Sequence, residues 1–283
     1  MRELSVKWQT QWSLFFLGCA MGVLVEGVVV QSFFNPNWVD LGPLKSYGVW
    51  LGVQWVWAIK LVFFHAFFAV ILPITIVHRW WPEIAKERLL VRRGVFVASA
   101  FFLSIASLMS LLFWKNMSVQ YHFEPSTAPF ISAIVAVAAF VVLSFLFRNS
   151  RIGSSRFVLW RPVMIGRSLL FVLLVFVFVD FFATAGKPAA YAIIVLSLTA
   201  AAMFWLFMFQ VYHPQATASH IVSAVVWPVG FWLVLSIFME LKMIPNPDNT
   251  RGMSIVGLVA TLALIAWRKR VISQNSTTNE VNL

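Results

Sequence analysis

Cysteine is all but absent. Cys19 is the only one in the chain, which excludes an internal disulfide framework and any zinc or iron–sulfur site built on several thiolates. Charge is scarce as well: charged residues make up 11% of the chain and hydrophobic ones 61%, where soluble domains carry about 25% and about 45–50%. Acids are rarer than bases, 10 against 21, and there are 5 histidines. So little polar surface cannot cover a 283-residue fold in water. Disorder is excluded by the 28 Phe and 14 Trp. Recognisable chemistry is missing too. There is no Asp-rich diphosphate motif, no Gly-rich phosphate loop, no Gly-x-Ser-x-Gly, no paired-His haem spacing and no lysine in the last span for retinal. No cofactor is evident.

What is present is apolar sequence in long runs. A helical span needs roughly 20 mostly apolar residues, and eight stretches qualify, near 12–33, 51–77, 95–114, 128–147, 165–184, 189–211, 219–241 and 252–267. The composition defines an all-α polytopic membrane helix bundle of about eight transmembrane helices. Residues 1–272 read as one transmembrane domain and 273–283 as a polar, disordered cytoplasmic tail. Leu17-Gly18-Cys19 mimics a lipoprotein signal, but the apolar run continues to Val30, beyond the ~7–15 residues of a signal core. It reads as a retained first span.

The basic residues orient the bundle, since cytoplasmic loops hold an excess of Lys and Arg. One set of ends carries Arg2, Lys7, Arg79, Lys86, Arg88, Arg92, Arg93, Arg148, Arg151, Arg156, Arg161, Arg167, Arg268, Lys269 and Arg270. The other carries only Lys45, Lys115, Lys187, Lys242 and Arg251, with Glu124 and Asp248 among its acids. An even number of spans with both termini cytoplasmic fits this split. The net charge of +11 then belongs to the cytoplasmic face and implies anionic inner-leaflet lipids as partners, not nucleic acid. The expected location is the cell membrane, or an organelle membrane in a eukaryote.

A charged side chain at mid-bilayer costs about 2.5–3.5 kcal/mol on insertion scales, so each one asks for a reason. Glu26, Lys60, His65 and Asp180 lie within spans and Glu240 at the end of one; together they form the candidate polar site. At 1.5 Å per residue, Glu26, Lys60 and Asp180 fall roughly 10, 13 and 6 Å below the outer ends of their spans. All share the outer leaflet. Gly18, Gly22 and Glu26 recur every four residues and stack on one helix face, where Gly-x-x-x-Gly permits close approach of another helix, in this chain or in an oligomer. Glu26 should therefore face the interior and pair with Lys60. His65 reads as an interfacial histidine on the stripe Ala58, Leu61, His65, Ala69 and Leu72, and Asp180 could pair with Lys187. Glu26, His65 and Asp180 have the chemistry of metal ligands, but no ligand spacing supports a metal.

Pro73 and the run Trp227-Pro228-Val229-Gly230 are expected to kink their spans. The outer loop 33–50, with turn signals at Asn35-Pro36 and Gly42-Pro43, should fold over Glu26. Matching acids in spans 1 and 5, and histidines at Val77-His78 and Tyr212-His213-Pro214, hint at a 4+4 parallel repeat.

Three functions follow. The leading one is a small-solute or proton-coupled transporter with an outward-facing polar site. The second is a membrane-embedded enzyme acting on a lipid, isoprenoid or peptide, with Glu26 or Asp180 as acid or base. The third is a non-catalytic assembly or accessory subunit.

Overall fold

The computed structural model describes residues 1–8, 11–85, 87–120, 123, 126–150, 158–242 and 251–280. Lys86, Glu124, Arg151, Arg156 and Asp248, which enter the charge sorting, lie outside the described residues. The described residues form, in chain order, the α-helices α1 Arg2–Trp8, α2 Gln11–Val23, α3 Trp55–Phe64, α4 Leu72–Trp80, α5 Arg92–Gln120, α6 Thr127–Leu146, α7 Pro162–Val177, α8 Phe181–Thr184, α9 Ala189–Val211, α10 Ala218–Glu240 and α11 Met253–Glu280. The segments Leu24–Val29, which extends α2, and His65–Ile71, which joins α3 to α4, are π-helical. Among the described residues the only strands are β1 Val49–Trp50 and β2 Val53–Gln54, an antiparallel pair.

Among the described residues, seven helical stretches are long and apolar enough to cross a membrane: 12–29, 55–80, 92–115, 127–149, 162–184, 189–211 and 218–240. The protein is an all-α polytopic helix bundle and a multi-pass membrane protein. The eighth apolar stretch is helical but falls short of a span, because the apolar part of α11 stops at Trp267, before Arg268, Lys269 and Arg270. Span 2 begins at Trp55 rather than 51, because Leu51 (φ 51°) and Gly52 (φ 74°) form the tight turn between the two strands. Span 1 ends early for a similar reason: Gln31 adopts φ 61° and reverses the chain.

The chain divides into two compact units, Met1–Arg151 with Phe178–Ala200, and Ile152–Val177 with Ala201–Leu283. In unit 1, α2 packs on α6 and on the π segment of span 2. A Cβ at Gly18 would lie 2.7 Å from the Ala66 Cα, and one at Gly22 2.8 Å from the Val62 Cα, so only glycine permits this backbone contact. The close approach expected of the Gly18–Gly22 stripe is therefore made within the chain. Ser13 adds a hydroxyl donor to the Ser144 carbonyl of α6 at 2.8 Å. α5 is the most open helix: none of its apolar window is buried, and Phe96, Phe101, Leu103 and Leu111 are exposed. Such a surface suits hydrocarbon, not water.

In unit 2, α10 packs on α7 and α11. α7 supplies Ile165, Leu169, Leu173 and Phe176, at most 2% exposed and spaced to lie on one face. Gly166 of the same helix leaves room for the Trp227 indole, which a Cβ there would meet at 2.0 Å. α10 continues through Pro228 as one helical segment. The missing N–H of Pro73 falls at the start of α4, immediately after the widened π turns.

Candidate functional site

Glu26 lies in the π segment Leu24–Val29, one turn beyond Gly22, and His65 opens the π segment His65–Ile71. Because Gly18 and Gly22 bring α2 against Val62, His65 and Ala66, that turn delivers the carboxylate to the imidazole. Glu26 Oε1 is 3.1 Å from His65 Nε2, and Glu26 Oε2 accepts from the Ser32 hydroxyl at 2.6 Å. The Trp57 indole N–H donates to Ser32 Oγ at 3.2 Å, which leaves the Ser32 proton to point at the carboxylate. A chain of hydrogen bonds thus runs Trp57–Ser32–Glu26–His65, with the two charged-type side chains 15% and 18% exposed. Phe64 stacks edge-on against the His65 ring.

Lys60 is engaged elsewhere. Its Nζ lies 2.8 Å from both carboxylate oxygens of Asp180. Asp180 ends the short 3-10 turn Phe178–Asp180 and precedes α8, so its carboxylate sits at a break between helical segments. The expected Glu26–Lys60 pair is therefore not formed; the partners are exchanged. Equal depth suggested that pair, but angle round the helix decides, and Lys60 lies on a different face of α3 from the one the glycines contact. Asp180 takes Lys60 instead of Lys187, which is exposed. The apolar stripe assigned to His65 is also interrupted, since Ala69 is exposed after the π turns shift the register.

Glu240 belongs to unit 2 and acts as a cap. Its carboxylate oxygens accept the backbone N–H groups of Gly252 and Ser254 at the start of α11. That accounts for the acid without any reaction. The two histidines behind the repeat differ in their contacts: His78 Nε2 accepts from Arg2 Nε at 3.0 Å, whereas His213 Nδ1 accepts the Gln215 N–H. Among the described residues no group of three or more His, Cys, Asp or Glu side chains is placed to hold a metal.

A second polar cluster fastens α1 to the loop after α4. Arg2 donates to the carbonyls of Ile84 and Glu87, and Glu3 accepts the N–H groups of Leu90 and Leu89. Burial acts to raise the Glu3 pKa. The amide bonds from Leu90 and Leu89 and the Arg2 guanidinium outweigh it and hold the carboxyl below its ordinary value.

Sequence reading missed Ser32, Trp57 and the buried Gln31 and Gln54. The signal in the sequence is the polar pair Gln31-Ser32 near the end of the first apolar run. No protein-family model, no curated protein and no solved structure matches the chain.

Proposed function

We propose that the protein is a proton-coupled transporter of a small solute, in which Glu26 and His65 carry the proton. The observation that carries this reading is a carboxylate and an imidazole 3.1 Å apart, each in a π-helical turn. Single π turns inside helices concentrate at functional sites, because the widened turn re-aims a side chain at a cost in backbone regularity. The chemistry follows from charge. With His65 neutral and Glu26 ionised the pair carries one negative charge in a poorly polarisable medium, which favours a state open to water. One added proton makes the pair electrically neutral and removes the penalty for closing the site. Ser32, held by Trp57, keeps one carboxylate oxygen occupied, so the arriving proton is shared between Oε1 and Nε2.

In this reading the site faces outward, the N terminus is cytoplasmic, and the basic loops after the second and fourth spans rest on anionic inner-leaflet lipid. The test uses the full-length protein in liposomes with a pH gradient set across the membrane. A panel of radiolabelled amino acids, sugars, polyols and organic acids is offered, and accumulation driven by the gradient is measured. At least one solute should accumulate, and dissipating the gradient with a protonophore should release it. If no solute accumulates, the transporter reading falls. A lipid-directed activity lost in Glu26→Gln would then favour the enzyme, and loss of stability alone the accessory subunit.

A further inference from the structure

The segment linking span 1 to α3 buries further polar groups beside Ser32 that the proton pair does not use. Gln31 and Asn35 are 0% exposed and Gln54 is 2% exposed. The backbone brings their positions together: the Gln54 N–H donates to the Phe33 carbonyl at 2.8 Å, and Trp57 reaches Ser32 as described. Ser32 is bound to Glu26 at 2.6 Å, so Gln31 adjoins the proton site directly along the chain. Yet neither Nε2 nor Oε1 of Gln31 has a hydrogen-bond partner, and nor has Oε1 of Gln54. An amide taken out of water and left unbonded is destabilising, and Gln31 adds a left-handed backbone at φ 61°. Two such costs on one fully buried side chain make little sense for packing. They make sense for recognition.

The charges nearby restrict what could be recognised. Lys60 is matched by Asp180 and Glu26 by His65, so a charged solute would enter without a free counter-charge. The unbonded groups of the segment are the two amides and the Tyr47 hydroxyl, which together donate and accept, and Phe33 and Phe34 of the segment and Trp57 of α3 are buried. A few polar anchors among apolar side chains suit a small ligand. We infer that Gln31 and Gln54 bind the transported solute, and that it is a small uncharged molecule with both hydrogen-bond donors and acceptors, of the polyol or amide kind. This rests on the transporter reading above.

The test is equilibrium exchange of radiolabelled glycerol and urea across liposomes containing the full-length protein, with no pH gradient. Exchange should exceed that of protein-free vesicles and be lost in Gln31→Met, which keeps the side-chain length without the amide. Gln31→Asn, an amide that tolerates φ > 0, should retain part of it. A purely structural amide would behave otherwise, since Met removes an unbonded buried group and should leave exchange intact while raising the melting temperature. If Gln31→Met is not recovered folded, Gln54→Met is read in the same way. Wild-type exchange in the folded Met variant overturns the assignment, as does failure of both probes to exchange in the wild type. Neutral exchange without gradient-driven accumulation would remove proton coupling and leave this site standing. Accumulation of a charged solute, unchanged in Gln31→Met, would do the reverse.

Discussion

Unit 1 carries two acid–base pairs within its helices, Glu26–His65 and Lys60–Asp180, and both π-helical segments. Unit 2 has no π turn among the described residues. Its helices meet through the Ile165–Phe176 face, the Trp227 indole in the space left by Gly166, and Gly257 against Ser236, while its acid Glu240 caps α11. Helix association in lipid is driven by close van der Waals packing and a few hydrogen bonds, because lipid tails are as apolar as the side chains. In unit 2 such contacts join α7 to α10 and α10 to α11. Unit 1 has the same kind of contact at Gly18 and Gly22 and adds two charged pairs within its helices. That addition is the main reason for assigning the pairs a function.

The largest expected effect tests the shared packing device. Gly18→Val should destabilise by about 3 kcal/mol, the upper end of overpacking costs, because its Cβ would meet the Ala66 backbone, which cannot rotate away. Gly166→Ala meets only the side chain of Trp227 and should cost less. Thermal unfolding in detergent compares the two, and the reverse order would break the comparison. Next is the charge pair. Lys60→Met strands Asp180 and should cost about 1–3 kcal/mol, less than the ~3–5 kcal/mol of a fully buried pair, because Asp180 is 32% exposed. Lys60→Met with Asp180→Asn should recover most of the loss, because neither charge is then left without its partner.

Smaller effects lie at the helix ends. The Glu3 pKa is held below its unfolded value, so its contribution is full above that value and is lost as pH falls through the folded one. Protease cutting of the 82–91 loop should therefore increase on acidification in the wild type. Glu3→Gln should show the increased cutting at neutral pH, with little further change in acid. The smallest effect is Glu240→Gln. The amide oxygen can still accept one of the two N–H groups at the N terminus of α11 and water can reach the other, so the melting temperature should move least of all the variants.

The helices were legible because apolar runs and basic loops are bulk properties of the chain. Residues 189–211 match α9 residue for residue, and span 7 is displaced by a single residue. The Gly18–Gly22–Glu26 stripe was legible as a close-contact face, and that face is where His65 sits. What could not be read was the partner across it. Depth can be counted along a helix, but the direction in which Lys60 points depends on which helices surround it, and Asp180 lies 120 residues away in sequence. The π turns are also hidden, since they arise from packing and leave no period in an apolar run. The division into two units leaves no composition boundary, because both units are built from the same residues.

The most direct test of the central claim is the behaviour of Glu26→Gln in two transport modes measured on the same liposomes. A residue that couples the proton is needed for uphill movement and dispensable for exchange at equal pH on both sides. The account predicts that Glu26→Gln loses accumulation driven by the pH gradient and keeps equilibrium exchange, while the Lys60→Met/Asp180→Asn double variant keeps both. Gradient-driven accumulation by Glu26→Gln at the wild-type level would contradict it.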